Sequence, residues 1–258
     1  MGSQRVHVGT SGWSYDHWQG IFYPPGLAEN LRLAYYQRYF RSVEINSSFY
    51  RLPSANTLRR WYESVPDDFI FSIKASRYIT HMKKLRDPRR AIKEFISRVE
   101  ALRDKLGPIL FQLPPRWHIN AERLATFIRM LPSEHRYSVE FRDPTWFSPR
   151  IYELLEKHAV AFCIFDLDRT LSPLQVTTDF VYIRLHGPQD PYRGRYDNRV
   201  LRKWAESIEH WRRQGREVYC YFDNDEAAYA AQDAARLQEM LHLRGTELSA
   251  NGRPARRR

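Results

Sequence analysis

Cysteine is scarce in this 258-residue chain: Cys163 and Cys220 are the only two, with no CxxC pair and no Cys/His spacing. That excludes a disulfide framework and a thiolate zinc site, and both thiols read as small buried hydrophobes. Long apolar runs are missing as well. The longest, such as Gly107 to Leu113, have strand length, far below the roughly 20 residues of a membrane span, so no membrane association is expected. Met1 to Val8 carries no long apolar segment of a secretory signal, and the expected location is the cytoplasm. No nucleophile elbow, P-loop or dinucleotide fingerprint occurs, which sets NAD and ATP chemistry aside.

What is present is a folding composition with a basic excess. Hydrophobic residues make up 43% and aromatics 14%, too much for a disordered polybasic chain. Lys plus Arg number 41 against 30 Asp plus Glu, a formal +11. Residues 244–258 hold five arginines (Arg244, Arg253, Arg256, Arg257 and Arg258) against Glu247, which is +4, so the remaining 243 residues carry +7. With Gly, Pro, Ser and Asn and no apolar period, 244–258 is expected to be a basic disordered tail following a domain over 1–243.

Eight β-branched or aromatic runs punctuate that domain: 6–9, 42–46, 69–74, 108–113, 137–141, 160–166, 180–186 and 217–223. Their C-terminal markers recur at a mean of about 31 residues, the repeat of eight βα units. Helix-like stretches lie between them: 31–40, 55–64, 88–105, 121–131, 149–158, 198–214 and 227–241. Ser54, Asp87-Pro88 and Ser148-Pro149 read as helix starts. Only the segment after Asp166 lacks a long helix. The expectation is α/β: a single (β/α)₈ TIM-like barrel of parallel strands with outer helices, an open doubly wound sheet being the fallback.

Strand alternation then separates two faces. If Val6 and Val8, Val43 and Ile45, Phe71 and Ile73, Val139 and Phe141, and Val181, Ile183 and Leu185 face the helices, the other face is polar. It holds His7, Glu44, Asn46, Ser72, Lys74, Gln112, Ser138, Glu140, Arg142, Asp166, Arg184, His186 and Asp223, mostly near strand C-terminal ends, where barrel sites form. Any one of these residues is equally well a paired structural support. As a ring they describe a ligand site in which Lys74, Arg142 and Arg184 oppose Glu44, Glu140, Asp166 and Asp223, with His186 able to add charge near neutral pH.

The segments GTSGWSYDHWQGIFYP, VEINSSFY, FIFSIKAS, FQLPP, EFRDPTW and RLHG, in this order from Gly9 to about Leu241, resemble the YecE-like family, domain of unknown function 72. The resemblance implies a TIM barrel, no established activity, and, by likeness to sugar isomerase and endonuclease IV type barrels, a site for phosphorylated or nucleic-acid-like ligands. The family pattern falls on Thr10, Ser11, Gly12, Trp13, Tyr15, Trp18, Glu44, Asn46, Phe49, Tyr50, Lys74, Gln112, Pro114, Pro115, Glu140, Arg142, Trp146, Arg184, His186 and Gly187. Asp143 stands where many relatives have His, and Asp223-Asn224 where an Asn pair is common.

Trp13, Tyr15, Trp18, Phe49, Tyr50, Trp117 and Trp146 follow strands and are candidates for a stacking rim, or for loop packing. Arg193, Gly194, Arg195 and Tyr196 precede a helix capped by Asp197, a recurring phosphate position in this fold. A divalent metal on Glu44, Glu140, Asp166, His186 and Asp223 is conceivable but not favoured, because three cations share the ring and no HxH or HExxH pairing occurs. Lys74 would suit a Schiff base if burial and cations lowered its pKa. The favoured reading has Lys74, Arg142 and Arg184 holding a phosphate or carboxylate, Glu140 or Asp166 as general acid or base, and His186 next for proton transfer. The function expected is an anion-binding hydrolase or lyase acting on a phosphorylated sugar or nucleic-acid fragment. The alternatives are a non-catalytic nucleic-acid-binding module using Arg193, Arg195, Arg199, Arg202, Lys203, Arg212 and Arg213, and a carbohydrate-active barrel.

Overall fold

A computed structural model describes residues 6–243; the basic-tail expectation for 244–258 lies outside the described residues. Strands β1 (Val6–Thr10), β2 (Ser42–Ile45), β3 (Ile70–Lys74), β4 (Leu106–Gln112), β5 (Tyr137–Glu140), β6 (Val160–Leu167), β8 (Phe180–Leu185) and β9 (Glu217–Phe222) pair in parallel, in the order β1-β9-β8-β6-β5-β4-β3-β2. The two-residue β7 (Thr170–Leu171) folds back antiparallel on β6. The eight parallel strands form a nearly closed α/β barrel of the (β/α)₈ type.

Closure between β1 and β2 takes the form of an isolated bridge from Ser11 to Glu44, with Gly12 N donating to Glu44 O at 2.8 Å. Gly9 makes this approach feasible. A Cβ there would lie 2.1 Å from the backbone oxygen of Ser42, so only a residue without a side chain fits.

Helices α1 (Arg32–Tyr36), α2 (Ala55–Ser64), α3 (Arg89–Val99), α4 (Ala121–Ile128), α5 (Pro149–Lys157), α6 (Asn198–Arg213) and α7 (Tyr229–Met240) surround the sheet. The longest, α6, turns Leu201, Trp204, Ala205, Ile208 and Trp211 inward at helical spacing and its charged residues outward. The segment after β6 has no helix, in keeping with its sequence. Two start signals work differently from the sequence reading. Ser54 accepts from Thr57 N as an N-cap, but Asp87 sits at positive φ and Pro88 itself is the cap residue of α3. Ser148 stands at the N-cap of α5 with Pro149 in its first turn, as read, but its buried Oγ makes no capping hydrogen bond among the described residues. The expected helix 88–105 breaks near Arg103, at φ 48°. Similarly, 31–40 shortens to α1 followed by tight turns at Tyr39 and Phe40.

Two cores result. One fills the space between strands and helices; the other plugs the barrel interior with Leu110, Ala161, Cys163, Phe180, Tyr182, Tyr219 and Tyr221. Both cysteines are buried and unpaired. No helix among the described residues is long and apolar enough to cross a membrane. The aromatic plug occupies the body of the barrel, so the polar side chains gather above it.

Candidate functional site

Alternation carries Ser11, Glu44, Lys74, Gln112, Glu140, Arg142, Arg184, His186 and Asp223 to one end of the barrel, where all except the largely shielded Arg142 are buried. Arg184 is the hub. Its Nε reaches both Glu44 carboxylate oxygens at 3.1 Å, Nη1 donates to Glu140 Oε2 at 2.9 Å and His186 Nε2 at 3.2 Å. Nη2 donates to Glu44 Oε1 at 2.9 Å, Asp223 Oδ2 at 2.9 Å and Ser11 Oγ at 3.2 Å. Every N–H of this guanidinium is used. In this arrangement Arg184 has no N–H left over for a ligand, against the anion-holding role expected from the sequence; it ties three buried carboxylates together.

The other carboxylate contacts follow from that tie. Glu44 also accepts from Tyr182 Oη at 2.7 Å and from Ser11 Oγ. Glu140 additionally accepts from Arg142 Nε. Burial pushes the Glu140 pKa upward, but Arg142 and Arg184 outweigh it and hold the carboxyl well below its usual range. The carboxylate form is the favoured one, which suits the base rather than the acid half of the expected general acid or base role. Asp223 moves the opposite way: burial raises it, against the opposing pull of Arg184, Lys74 and Arg142.

His186 is fully buried, and its Nε2 faces Arg142 Nη2 at 3.0 Å as well as Arg184. Two arginine donors require a lone pair there, so the proton resides on Nδ1, 3.0 Å from Asp223 Oδ2 though off the hydrogen-bonding line. Burial first, then the arginine charges, push its pKa well below the normal histidine value. The neutral imidazole is therefore the favoured form, which corrects the expectation that His186 adds charge near neutral pH.

Asp166 is also a correction. On β6 the interior face is Ala161 and Cys163, so Asp166 falls on the opposite parity and points to the helix layer. There it accepts from Tyr196 Oη at 3.0 Å and lines an apolar groove with Leu171, Leu174 and Trp204. The charged ring is therefore three cations against three carboxylates. Among the described residues, no group of three or more His, Cys, Asp or Glu is arranged to hold a metal ion.

Lys74 stands apart from the tie. Its residue is 6% exposed, and its ammonium lies 4.3 Å from the centroid of the Phe49 ring. No carboxylate comes within ion-pair distance among the described residues, because Glu44, Glu140 and Asp223 are all turned onto arginines. Burial, reinforced by Arg184, lowers its pKa to about 8 despite the nearby carboxylates. Arg142 Nη1 has no acceptor among the described residues, and the guanidinium lies 5.2 Å from the Phe165 ring.

The structure adds His81, which the sequence reading missed. It belongs to a π-helical turn, Tyr78–Met82, just after β3, and packs edge-on to Phe49 at 4.9 Å. Burial, then the charges of Lys74, Arg77 and Arg142, push it down to about 4. The available signal was a histidine in the connection just after a site strand. Tyr192 is a second addition, perpendicular to His186 at 5.5 Å.

The expected stacking rim divides. Trp18 and Trp146 are wholly buried: Trp18 Nε1 donates to Asp225 O at 3.0 Å, and Trp146 stacks on Phe141 and donates to Trp117 O. They pack loops and present no face to a ligand. Trp13, Tyr15, Asn46 and the exposed Tyr50 instead line a groove of about 370 Å³ with Trp61, and Asn46 Oδ1 is buried without a partner among the described residues.

The expected phosphate loop is also occupied by the protein itself. Asp197 caps α6 by accepting from Val200 N at 2.8 Å, placing a carboxylate at that helix end. Arg195 leans on Asp233 at 3.8 Å, and Asn224 donates to Gly194 O and Asp233. Tyr196 is buried between Asp166 and Gly187 N, while Arg193 faces solvent.

With this geometry in view, comparisons place the chain among relatives. The family model described as a protein of unknown function, DUF72, matches residues 7–258. The UPF0759 protein YunF of Bacillus subtilis is 24% identical over 92% of this chain and 95% of its own length. YecE of Escherichia coli is 32% identical over 55% of this chain and 50% of its own. A crystal structure of a DUF72 family protein from Thermotoga maritima superposes with a TM-score of 0.84 at 30% identity, covering 92% of this chain and 99% of that one.

Proposed function

The chain belongs to the DUF72 family, described as one of unknown function, and from that premise we propose a barrel enzyme of hydrolase or lyase type acting on a small anionic substrate. The carrying observation is the division of labour among the cations. Arg184 is saturated, whereas Lys74 Nζ and Arg142 Nη1 have no protein acceptor among the described residues. Two uncommitted donors above an ordered ion-pair network suit a phosphate or carboxylate group. Lys74, tuned close to neutrality, is the group best placed to accept a proton, and neutral His81 stands beside it.

The test is calorimetric titration with phosphorylated sugars, nucleotides and inorganic phosphate, followed by a turnover panel. Lys74→Ala and Arg142→Met should each weaken phosphate binding by about tenfold or more while the circular dichroism spectrum is retained. Unchanged binding in both variants rejects the anion site. A nucleic-acid surface on α6 is the second reading, favoured by the exposed Arg199, Arg202, Lys203 and Arg213. Binding there would weaken steeply with salt and be indifferent to Lys74→Ala.

A further inference from the structure

We propose that Lys74 is a carbonyl-reactive amine, forming a Schiff base with a small aldehyde or ketone that carries a phosphate or carboxylate. This deepens the reading above and rests on it, since Arg142 Nη1 would hold the anionic group.

The chain provides its own contrast. Of its seven lysines, Lys83, Lys84, Lys93, Lys157 and Lys203 are exposed, and Lys74 and Lys105 are buried. Lys105 Nζ is committed, donating to Tyr62 O at 2.8 Å and Val65 O at 2.7 Å. Among the described residues Lys74 Nζ has no such acceptor; it rests on the Phe49 ring at the mouth of the barrel. A buried ammonium ordinarily has a carboxylate or carbonyls fixed on it. Here three carboxylates surround the same ring and all are turned onto Arg184 or Arg142. The arginines thereby keep the amine unpaired, and burial favours its neutral, nucleophilic form.

The step is balanced. The ammonium first gives one proton to solvent; the neutral amine then attacks the carbonyl carbon and a C–N bond forms, and the carbonyl oxygen takes one proton from the attached nitrogen and one from solvent and leaves as water as the C–O bond breaks. The product is an iminium whose positive charge replaces that of the lost ammonium. Three cations still face Glu44, Glu140 and Asp223, so no buried carboxylate is left uncompensated. No oxidant or reductant is needed.

The experiment incubates the full chain separately with dihydroxyacetone phosphate and with pyruvate, adds sodium borohydride to fix any imine, and maps peptides by mass. Lys74 should be modified first, about a hundredfold faster near neutral pH than the five exposed lysines, because far more of it is unprotonated. Inorganic phosphate should slow that labelling, and Lys74→Arg should abolish it. Should Lys74→Arg fail to fold, the map of the unsubstituted chain decides alone. Adducts confined to exposed lysines overturn the carbonyl proposal. Acylation by citraconic anhydride with and without phosphate then separates the two readings: phosphate protection of Lys74 retains the anion site without imine chemistry, and absence of protection removes both.

Discussion

Arg142 Nη2 lies 3.0 Å from His186 Nε2, and because a guanidinium only donates, the histidine must accept. One hydrogen bond thus fixes the tautomer of a wholly buried imidazole. In nitrogen NMR, His186 should show an unprotonated Nε2 and no titration at the ordinary histidine value. A titration midpoint near the ordinary histidine value would contradict the assignment.

Arg184→Met should be among the most damaging substitutions in the chain. It strips the shared cation from Glu44, Glu140 and Asp223, and breaking a buried pair in this way costs about 3–5 kcal/mol. Urea denaturation should show the loss as a lower midpoint. A midpoint within experimental error of the unsubstituted protein would mean that the tie contributes nothing.

Lys74 gives a stability signature with a definite sign. Its folded pKa is about 8 against an ordinary value of 10.5, so between these values the unfolded chain binds more protons. Lys74 is a penalty below about pH 8 that is relieved as pH rises through this window. Across that rise its contribution should improve by about 3 kcal/mol. Lys74→Met should remove this slope when the two proteins are compared pH by pH; parallel curves would count against a buried, unpaired amine.

Gly9→Ala forces a methyl group toward the Ser42 carbonyl, a backbone atom that cannot swing aside. A loss of about 1–3 kcal/mol is expected, read as a lower thermal midpoint. The same substitution at Gly20, where nothing lies within 4 Å of the added atom, probes positive-φ strain alone and separates backbone strain from collision.

The fold was legible because period and spacing are properties of the chain: eight apolar runs, with a helix in every connection between them except the one after β6. The site was legible only as a set. Parity located Glu44, Lys74, Glu140, Arg184 and Asp223 correctly but failed for Asp166, since β6 lines the barrel with small Ala161 and Cys163, which carry no polar signal. Division of roles was not readable at all. That Arg184 is saturated while Lys74 is unpaired depends on which of three cations reaches the carboxylates, a matter of angstroms between strands distant in sequence. His81 escaped for a related reason: a π-helical turn has no composition that marks it, and the ring it faces is assembled only on folding. Trp18 and Trp146 were ambiguous because loop packing and ligand stacking call on the same side chains.

The single bridge at Ser11 and Glu44 makes the closed barrel, in kinetic terms, a curled ribbon with two free margins, β1 and β2. On its other side β1 is zipped to β9 over five residues, so opening separates β1 from β2 without releasing the remaining ladders. Amide hydrogens along that seam should exchange with deuterium through local opening, whereas those of β5, β6 and β8 wait for global unfolding. Glu44 sits on the seam itself, so the charged ring is coupled to the first breath of the barrel.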